Sequence, residues 1–328
     1  MPGVEGGPEQ TIESWAPRFS GIRTFARLPW TRELGGVDVA VLGIPFDTGV
    51  TYRPGARFGP AAVREQSSRI ERYHPPLDVD VLASLTVVDY GDLPVIAGDT
   101  ERSFRLIEEG MRRLINHGVV PIAIGGDHSI SLPELRAVAQ RYGRLALVHF
   151  DAHVDTWDTI WGEKYNHGTP FRRAVEEGLV DPGHSIQIGI RGSLGEVGEL
   201  TQSRELGFEV WTAWEVRRAG LAHVLEAIRH RVGALPVFLS FDIDFLDPAF
   251  APGTGTPEVG GFATWEAQTL LWGLVGLEIV AADLVEVLPD RDPTDVTALN
   301  AANLVFDIVA VIARSRRESS DGTAVRAH

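Results

Sequence analysis

Three short apolar runs in the chain each end in ionisable residues. Residues 122–124 lead into Gly125-Gly126-Asp127-His128, residues 146–150 into Asp151-Ala152-His153-Val154-Asp155, and residues 237–241 into Asp242-Ile243-Asp244. Carboxylates beside a sheet interior are disfavoured, because an unpaired buried charge is costly and neighbouring carboxylates repel one another. Bound cations remove both penalties. If the extended backbone persists, the alternate spacing of Asp151, His153 and Asp155 points all three side chains one way, and the same holds for Asp242 and Asp244. Together with His128 they form an oxygen-rich donor set with two imidazoles, suited to hard or borderline divalent ions, manganese among them. Two ions sharing bridging carboxylates account for this number of ligands. Taken singly, each run also has a plainer explanation: Asp-x-His-x-Asp as a solvated turn, Asp-x-Asp as a loop, Gly-Gly-Asp-His as a tight turn with a satisfied histidine. Recurrence at three strand ends sets the chemical reading above these.

Such a set needs a frame. Runs rich in Val, Ile and Leu at 37–43, 85–89, 119–124, 145–150, 186–190, 236–241 and 278–285 have the length of buried parallel strands. Between them, residues 101–117 place Phe104, Ile107, Met111, Leu114 and Ile115 on one helical stripe that stops at Gly118. Residues 132–142, 170–177, 221–232 and 265–274 behave likewise. Strands alternating with helices predict an α/β fold, a three-layer α/β/α arrangement with a central, mostly parallel sheet and ligands at the carboxyl ends of the strands. His149, inside a strand, is expected to be structural, a buried imidazole with a backbone partner. His117 ends a helix, and His74, His184, His223 and His230 stand in no motif. Without repeats or an internal linker, the expected organisation is an N-terminal extension at 1–36 whose first ~20 residues are an irregular lead-in, a catalytic domain at 37–313, and a polar C-terminal tail at 314–328.

The bulk composition narrows the function classes. With 328 residues, 44% hydrophobic and 23% charged, the chain has the make-up of a soluble globular protein. Thirty Lys and Arg against 45 Asp and Glu give a net charge of −15, which disfavours nucleic acid and anionic membranes and suits cationic ligands, although acidic surfaces also serve solubility alone. The absence of cysteine excludes disulfides, thiolate metal sites and cysteine nucleophiles. The N-terminus, MPGVEGGPEQ, carries no secretory signal pattern, and no run approaches the ~18 continuous apolar residues of a membrane span, so a cytoplasmic enzyme is expected.

The motifs carry a resemblance. GGDHS at 125–129, DAHVDT at 151–156 and SFDIDFLDP at 240–248 resemble, in order and spacing, the three signatures of the ureohydrolases, the family of arginases, agmatinases, guanidino-acid hydrolases and formimidoylglutamase; PGARFGP at 54–60, HGTPF at 167–171, APGTGTPE at 251–258 and VEVLP at 285–289 extend it from about Val37 to Arg314. This resemblance implies an arginase-like fold and two manganese ions per chain, one held by His128, Asp151, Asp155 and Asp242, the other by Asp151, His153, Asp242 and Asp244. Asp151 and Asp242 would bridge, and a water acidified by the ions would attack the guanidino carbon. By the same resemblance Glu286 orients the guanidinium, Asp155 passes on the nucleophile's proton, and His167 is the shuttle histidine near the mouth. Read without the flanking motifs, a Glu after an apolar strand also caps helices, and a His before Gly also sits in turns.

The segment between Asp155 and His167, TWDTIWGEKYN, joins a metal ligand to the shuttle and should line the entrance. It lacks the small polar residues with which arginases grip the α-amino and α-carboxylate groups, so arginine is disfavoured. TFARLP at 24–29, TYRPGARFG at 51–59 and HGTPFRRAVEEG at 167–178 are most similar in style to agmatinases, and an aromatic wall from Trp157, Trp161 or Tyr165 fits a cation. The expectation is hydrolysis of agmatine to putrescine and urea. Guanidinobutyrate or guanidinopropionate is the alternative, with Arg53 or Arg57 as carboxylate partner. A non-catalytic subunit of the same fold would have lost a ligand, and none is lost; a related deacetylase would carry fewer carboxylates. Partners expected from the resemblance are a small guanidino substrate and further copies of the chain in a homotrimer or homohexamer, with neither nucleic acid nor membrane.

Overall fold

Short runs, most of them apolar and β-branched, form the eight strands of the main sheet: β1 (Val39–Ile44), β2 (Val87–Asp92), β3 (Val120–Gly125), β4 (Ala146–Phe150), β5 (Ile186–Ile190), β6 (Glu209–Thr212), β7 (Val237–Asp242) and β8 (Ile279–Val285). The computed structural model describes residues 17–195 and 198–326; residues 1–16 of the expected lead-in and the last two of the expected tail lie outside the described residues. The strands form one parallel sheet in the order β2-β1-β3-β8-β7-β4-β5-β6. Seven were legible as continuous apolar runs. The eighth, β6, was not, because at this sheet edge only Val210 and Thr212 are buried while Glu209 and Trp211 are half-exposed.

Alternation along each strand feeds two cores. In β1, Val39 and Val41 face one, and Ala40, Leu42 and Ile44 the other. The helices Thr100–Asn116, Ser131–Tyr142 and Pro170–Glu176 cover the second face; Gly59–Gln66, Ala213–Ala219, Leu221–Val232, Thr264–Trp272 and Val296–Arg326 cover the first. This is the expected α/β/α sandwich.

A long helix closes the described part of the chain. It runs without a break from Val296 to Arg326, through Arg314, where the polar tail was expected to begin. An 18-residue window within its stretch Val296–Glu318 is also apolar enough for a membrane span, with mean hydropathy 1.9, although scattered Asn and Asp hide it from a search for continuous apolar runs. In the fold, 72% of that window is buried against the rest of the chain, as suits a core helix.

Candidate metal centre

β3, β8, β7 and β4 are neighbours in the middle of the sheet, so the residues at their carboxyl ends meet at one place: His128 after β3, Glu286 after β8, Asp242 closing β7 and Asp151 after β4. The chain leaves β3 through Gly126, where a Cβ would lie 2.1 Å from the Phe46 carbonyl oxygen; only glycine lets the two backbones approach so closely.

Beyond the strands the backbone does not stay extended. β4 ends at Phe150, Asp155 adopts a left-handed φ of 50°, and Ile243–Phe245 is a 3-10 turn in which Asp242 accepts the Asp244 N–H at 2.8 Å. The side chains therefore converge through tight turns and not by alternation along an extended strand, which would hold residues two apart at about 7 Å. Glu286, at φ 65°, is a second non-glycine residue in the left-handed region, a strained conformation that clusters at functional sites.

The expected ligands come together in two overlapping groups. His128 Nδ1 lies 3.1 Å from Asp151 Oδ2, 2.9 Å from Asp155 Oδ2 and 3.3 Å from Asp242 Oδ2. His153 Nδ1 lies 3.3 Å from Asp151 Oδ1 and 3.1 Å from Asp244 Oδ2. Asp151 thus gives one oxygen to each group, as a bridging carboxylate would. His128 and the four aspartates are buried, and His153 is partly exposed. His128 Nδ1 and Asp244 Oδ2 have no hydrogen-bond partner among the described residues, although both are inaccessible to solvent.

The electrostatics ask for added positive charge. Burial, then the neighbouring carboxylates, hold Asp242 well above the ordinary carboxylate range, and Asp244 is raised for the same reasons. Burial lowers the basicity of His128, but Asp151, Asp155 and Asp242 more than offset it and raise the ring well above its usual value. Only Asp151 is held well below the carboxylate range: burial works against its ionisation, and His149, His128 and His153 outweigh it. Protons thus crowd into a cluster whose four carboxylates would balance two divalent cations. Orphaned donor atoms, an oxygen–imidazole donor set and this charge balance all fit a metal pair.

Glu286 and His167 stand beside the cluster. Glu286 Oε1 accepts the His128 backbone N–H at 3.0 Å and the His167 Nδ1–H at 3.0 Å, while its buried Oε2 has no partner among the described residues. Burial lowers His167, but the Glu286 hydrogen bond and the charges of Glu286, Asp155 and Asp127 push it up to about 9. The Thr51 N–H, aimed at His167 Nε2 from 3.2 Å, works against a second proton there. Asp127, pushed up to about 7 by burial and by Glu286, accepts the Gly49 N–H at 2.7 Å and so ties the 46–58 loop to the centre.

The two arginines of that loop differ. Arg57 is engaged by buried Asp47, with Nε 2.5 Å from Oδ1. Arg53 makes no ion pair among the described residues; its guanidinium lies 4.8 Å from the Tyr52 ring centroid. Its backbone borders the site, since a Cβ at Gly255 would be 3.3 Å from Arg53 O and 3.5 Å from Glu286 Oε2. Of the three aromatics expected at the entrance, Tyr165 packs edge-on against Phe104 at 5.7 Å, Trp157 packs on Gly168, and Trp161 is exposed.

Several polar residues near the centre escaped the motif reading. His128 Nε2 donates to Ser240 Oγ at 2.8 Å, Ser240 to Asp283 Oδ1 at 2.6 Å, and Ser131 to Asp283 Oδ2 at 2.5 Å. His149 is buried as expected, but its partners are side chains, Asp151 at 2.8 Å and Gln187 at 3.1 Å, because the strand backbone is already used in the ladder. The available signal was a polar residue inside an apolar strand: His149, Gln187, Ser240 and Asp283 all have that character.

A sequence model of the Arginase family matches residues 37–310. The chain is 43% identical over 299 residues to guanidinobutyrase of Pseudomonas aeruginosa, covering 90% of this chain and 94% of that one. It is 44% identical over 292 residues to a mitochondrial agmatinase of Gallus gallus, covering 89% and 86%. The solved structure of proclavaminate amidino hydrolase from Streptomyces clavuligerus superposes with a TM-score of 0.88 at 40% identity, covering 92% of this chain and all of that one.

Proposed function

Because the chain belongs to the arginase family and is an amidinohydrolase of guanidino compounds, we propose that it releases urea from a short linear guanidino acid, such as guanidinobutyrate, using two manganese ions. One observation carries the chemical reading: four carboxylates and two imidazoles converge beside a buried glutamate with one oxygen unpartnered among the described residues. His128, Asp151, Asp155 and Asp242 would hold one ion, and Asp151, His153, Asp242 and Asp244 the other. When bound, the ions supply Lewis acidity and a nucleophilic water at neutral pH.

The remaining work belongs to side chains. Glu286 Oε2 accepts N–H groups of the planar guanidinium; with Oε1 pinned by His128 and His167, the carboxylate cannot turn away from the substrate. Asp155, 2.9 Å from His128 Nδ1 and at the junction of strand end and entrance segment, takes the proton released by the nucleophile. His167 keeps its Nδ1–H on Glu286; when charged it also carries a proton on Nε2, which the Thr51 hydroxyl 2.7 Å away can accept, and this Nε2 proton is the one passed to the departing amine as the C–N bond breaks.

Arg53 supports the carboxylate-tailed substrate class: it is a cation without an ion pair among the described residues, on a backbone that borders Gly255 at the edge of the site. Agmatine, giving putrescine for polyamine biosynthesis, is the second reading. The net charge of −15 favours its ammonium tail at long range. A urea-release screen with agmatine, guanidinobutyrate, guanidinopropionate, arginine and formimidoylglutamate on manganese-loaded protein separates these; a higher kcat/KM for agmatine would overturn the acid assignment and leave the metal chemistry standing. The proposed setting is a cytoplasmic homotrimer or homohexamer, to be checked by light scattering.

A further inference from the structure

One row of the sheet is polar. Gln187 of β5 is in register with His149 of β4, His149 with Ser240 of β7, and Ser240 with Asp283 of β8, and all four are fully buried. A row of this kind costs stability unless every member is hydrogen-bonded. It lies directly under the ligands, because His149 and Ser240 precede Asp151 and Asp242 by two residues.

The donor directions on the Gln187 side follow from groups that have no choice. The Val154 carbonyl can only accept, so the atom facing it at 2.5 Å is the Gln187 NH2 group. That NH2 group also lies 3.1 Å from His149 Nδ1, which must then accept. Ser203 Oγ donates to Gln187 Oε1 at 2.5 Å and locks the amide in this sense. The imidazole proton is left on Nε2, which donates to Asp151 Oδ2 at 2.8 Å.

We propose that His149, held by Gln187, is a positioning residue for the metal pair: its N–H fixes the Asp151 carboxylate in the orientation that offers one oxygen to each ion. Oδ2 keeps a second lone pair for the His128 side of the centre, and Oδ1 faces His153. Gln187 adds a second hold, since Val154 lies between His153 and Asp155 and its carbonyl anchors the loop that carries them. The inference rests on reading Asp151 as the bridging ligand.

Partners of this kind, which touch a ligand and not the ion, typically change metal affinity about 10- to 100-fold. The test is titration of metal-free protein with manganese chloride, following affinity and stoichiometry by calorimetry, with the unfolding midpoint of the metal-free form as a check on folding. His149→Phe keeps a ring against Phe171, 4.5 Å away, and removes the donor; it should fold and bind manganese about 10- to 100-fold more weakly. His149→Gln returns an N–H near the Nε2 position and should recover most of the loss. Gln187→Met should weaken binding while Asp151 stays in place. Folded His149→Phe with wild-type affinity would overturn the inference, as would a His149→Gln no better than the Phe variant. If His149→Phe does not fold, unchanged affinity in Gln187→Met overturns it instead. A wild-type protein that fails to take up two ions removes the metal reading itself, and this inference with it.

Discussion

Replacing Glu286 by Gln isolates guanidinium orientation from metal binding, because Glu286 is beside the ligands without being one of them. The wild-type carboxylate has a fixed division of labour: Oε1 serves the His128 N–H and the His167 Nδ1–H, and Oε2 is left for substrate. An amide cannot reproduce this. With its oxygen toward His128 and His167, its NH2 faces the guanidinium N–H groups, donor against donor. With its oxygen toward substrate, its NH2 faces the His128 N–H instead. Either orientation loses a charge-assisted hydrogen bond, about 1.5–3 kcal/mol, and leaves a buried donor unpaired, about 1–3 kcal/mol. Part of the second cost falls on free enzyme and substrate alike, so about 3–4 kcal/mol remains in the transition state, a fall in kcat/KM of roughly 10²- to 10³-fold. Manganese content and the unfolding midpoint should stay near wild type. Steady-state urea release across substrate concentrations, with metal analysis on the same preparation, decides it: a metal-replete Glu286→Gln enzyme within about threefold of wild-type kcat/KM would refute the role assigned to this oxygen.

Chelating the manganese-loaded enzyme should abolish urea release and lower the unfolding midpoint, since ions at ~1,000 times their dissociation constant contribute about 4 kcal/mol; a midpoint unmoved by chelation would count against the centre. Arg53→Ala should lower kcat/KM for guanidinobutyrate about 10- to 100-fold and leave agmatine nearly unchanged; equal losses on both would show that Arg53 does not read the tail. In metal-free protein, His167 has a folded pKa of about 9 against an ordinary 6.5, so its stabilisation is complete below pH 6.5 and is lost as pH rises through 9. The stability difference between wild type and His167→Gln should therefore shrink by up to ~3 kcal/mol from pH 6 to pH 10 in urea unfolding, and a difference independent of pH would refute it. Glu134, buried with neither oxygen partnered among the described residues and held well above the carboxylate range by burial and by Asp283, favours its neutral form, so its ionisation costs folding stability as pH rises. Glu134→Leu should stabilise by about 1–3 kcal/mol, more at pH 8 than at pH 5; equal gains at both would contradict this.

The site was legible where chemistry and periodicity spoke together. Asp151, His153, Asp155, Asp242 and Asp244 follow apolar runs with the length of buried strands, and the structure brings them and His128 to one place. The route to that convergence was not legible. Residue spacing suggested alternation along extended chain, whereas the actual device is a pair of tight turns, one with Asp155 at positive φ, and backbone strain of that kind leaves no composition signal. Strand order was equally hidden: nothing local says that β8 inserts between β3 and β7, yet that insertion puts Glu286 beside His128. β6 and the whole C-terminal helix, Val296–Arg326, were missed because a sheet edge and a long helix with polar residues both dilute the apolar pattern.

Polar residues inside buried strands turn out to be as informative as the ionisable residues after them. A buried strand admits a histidine, glutamine, serine or aspartate only when it is hydrogen-bonded, so four such residues imply buried partners from the sequence alone, and the strand order then joins them into one cross-strand network. The same energetics links folding to metal. The sheet holds four carboxylates within reach of two imidazoles, in surroundings that drive protons onto Asp242, Asp244 and His128. Such a cluster is least costly when cations replace those protons, so affinity for divalent ions should rise with pH while the apo fold loses stability from the same carboxylates. Built around its ligands in this way, the sheet is at once the frame that positions the ions and a structure that depends on them.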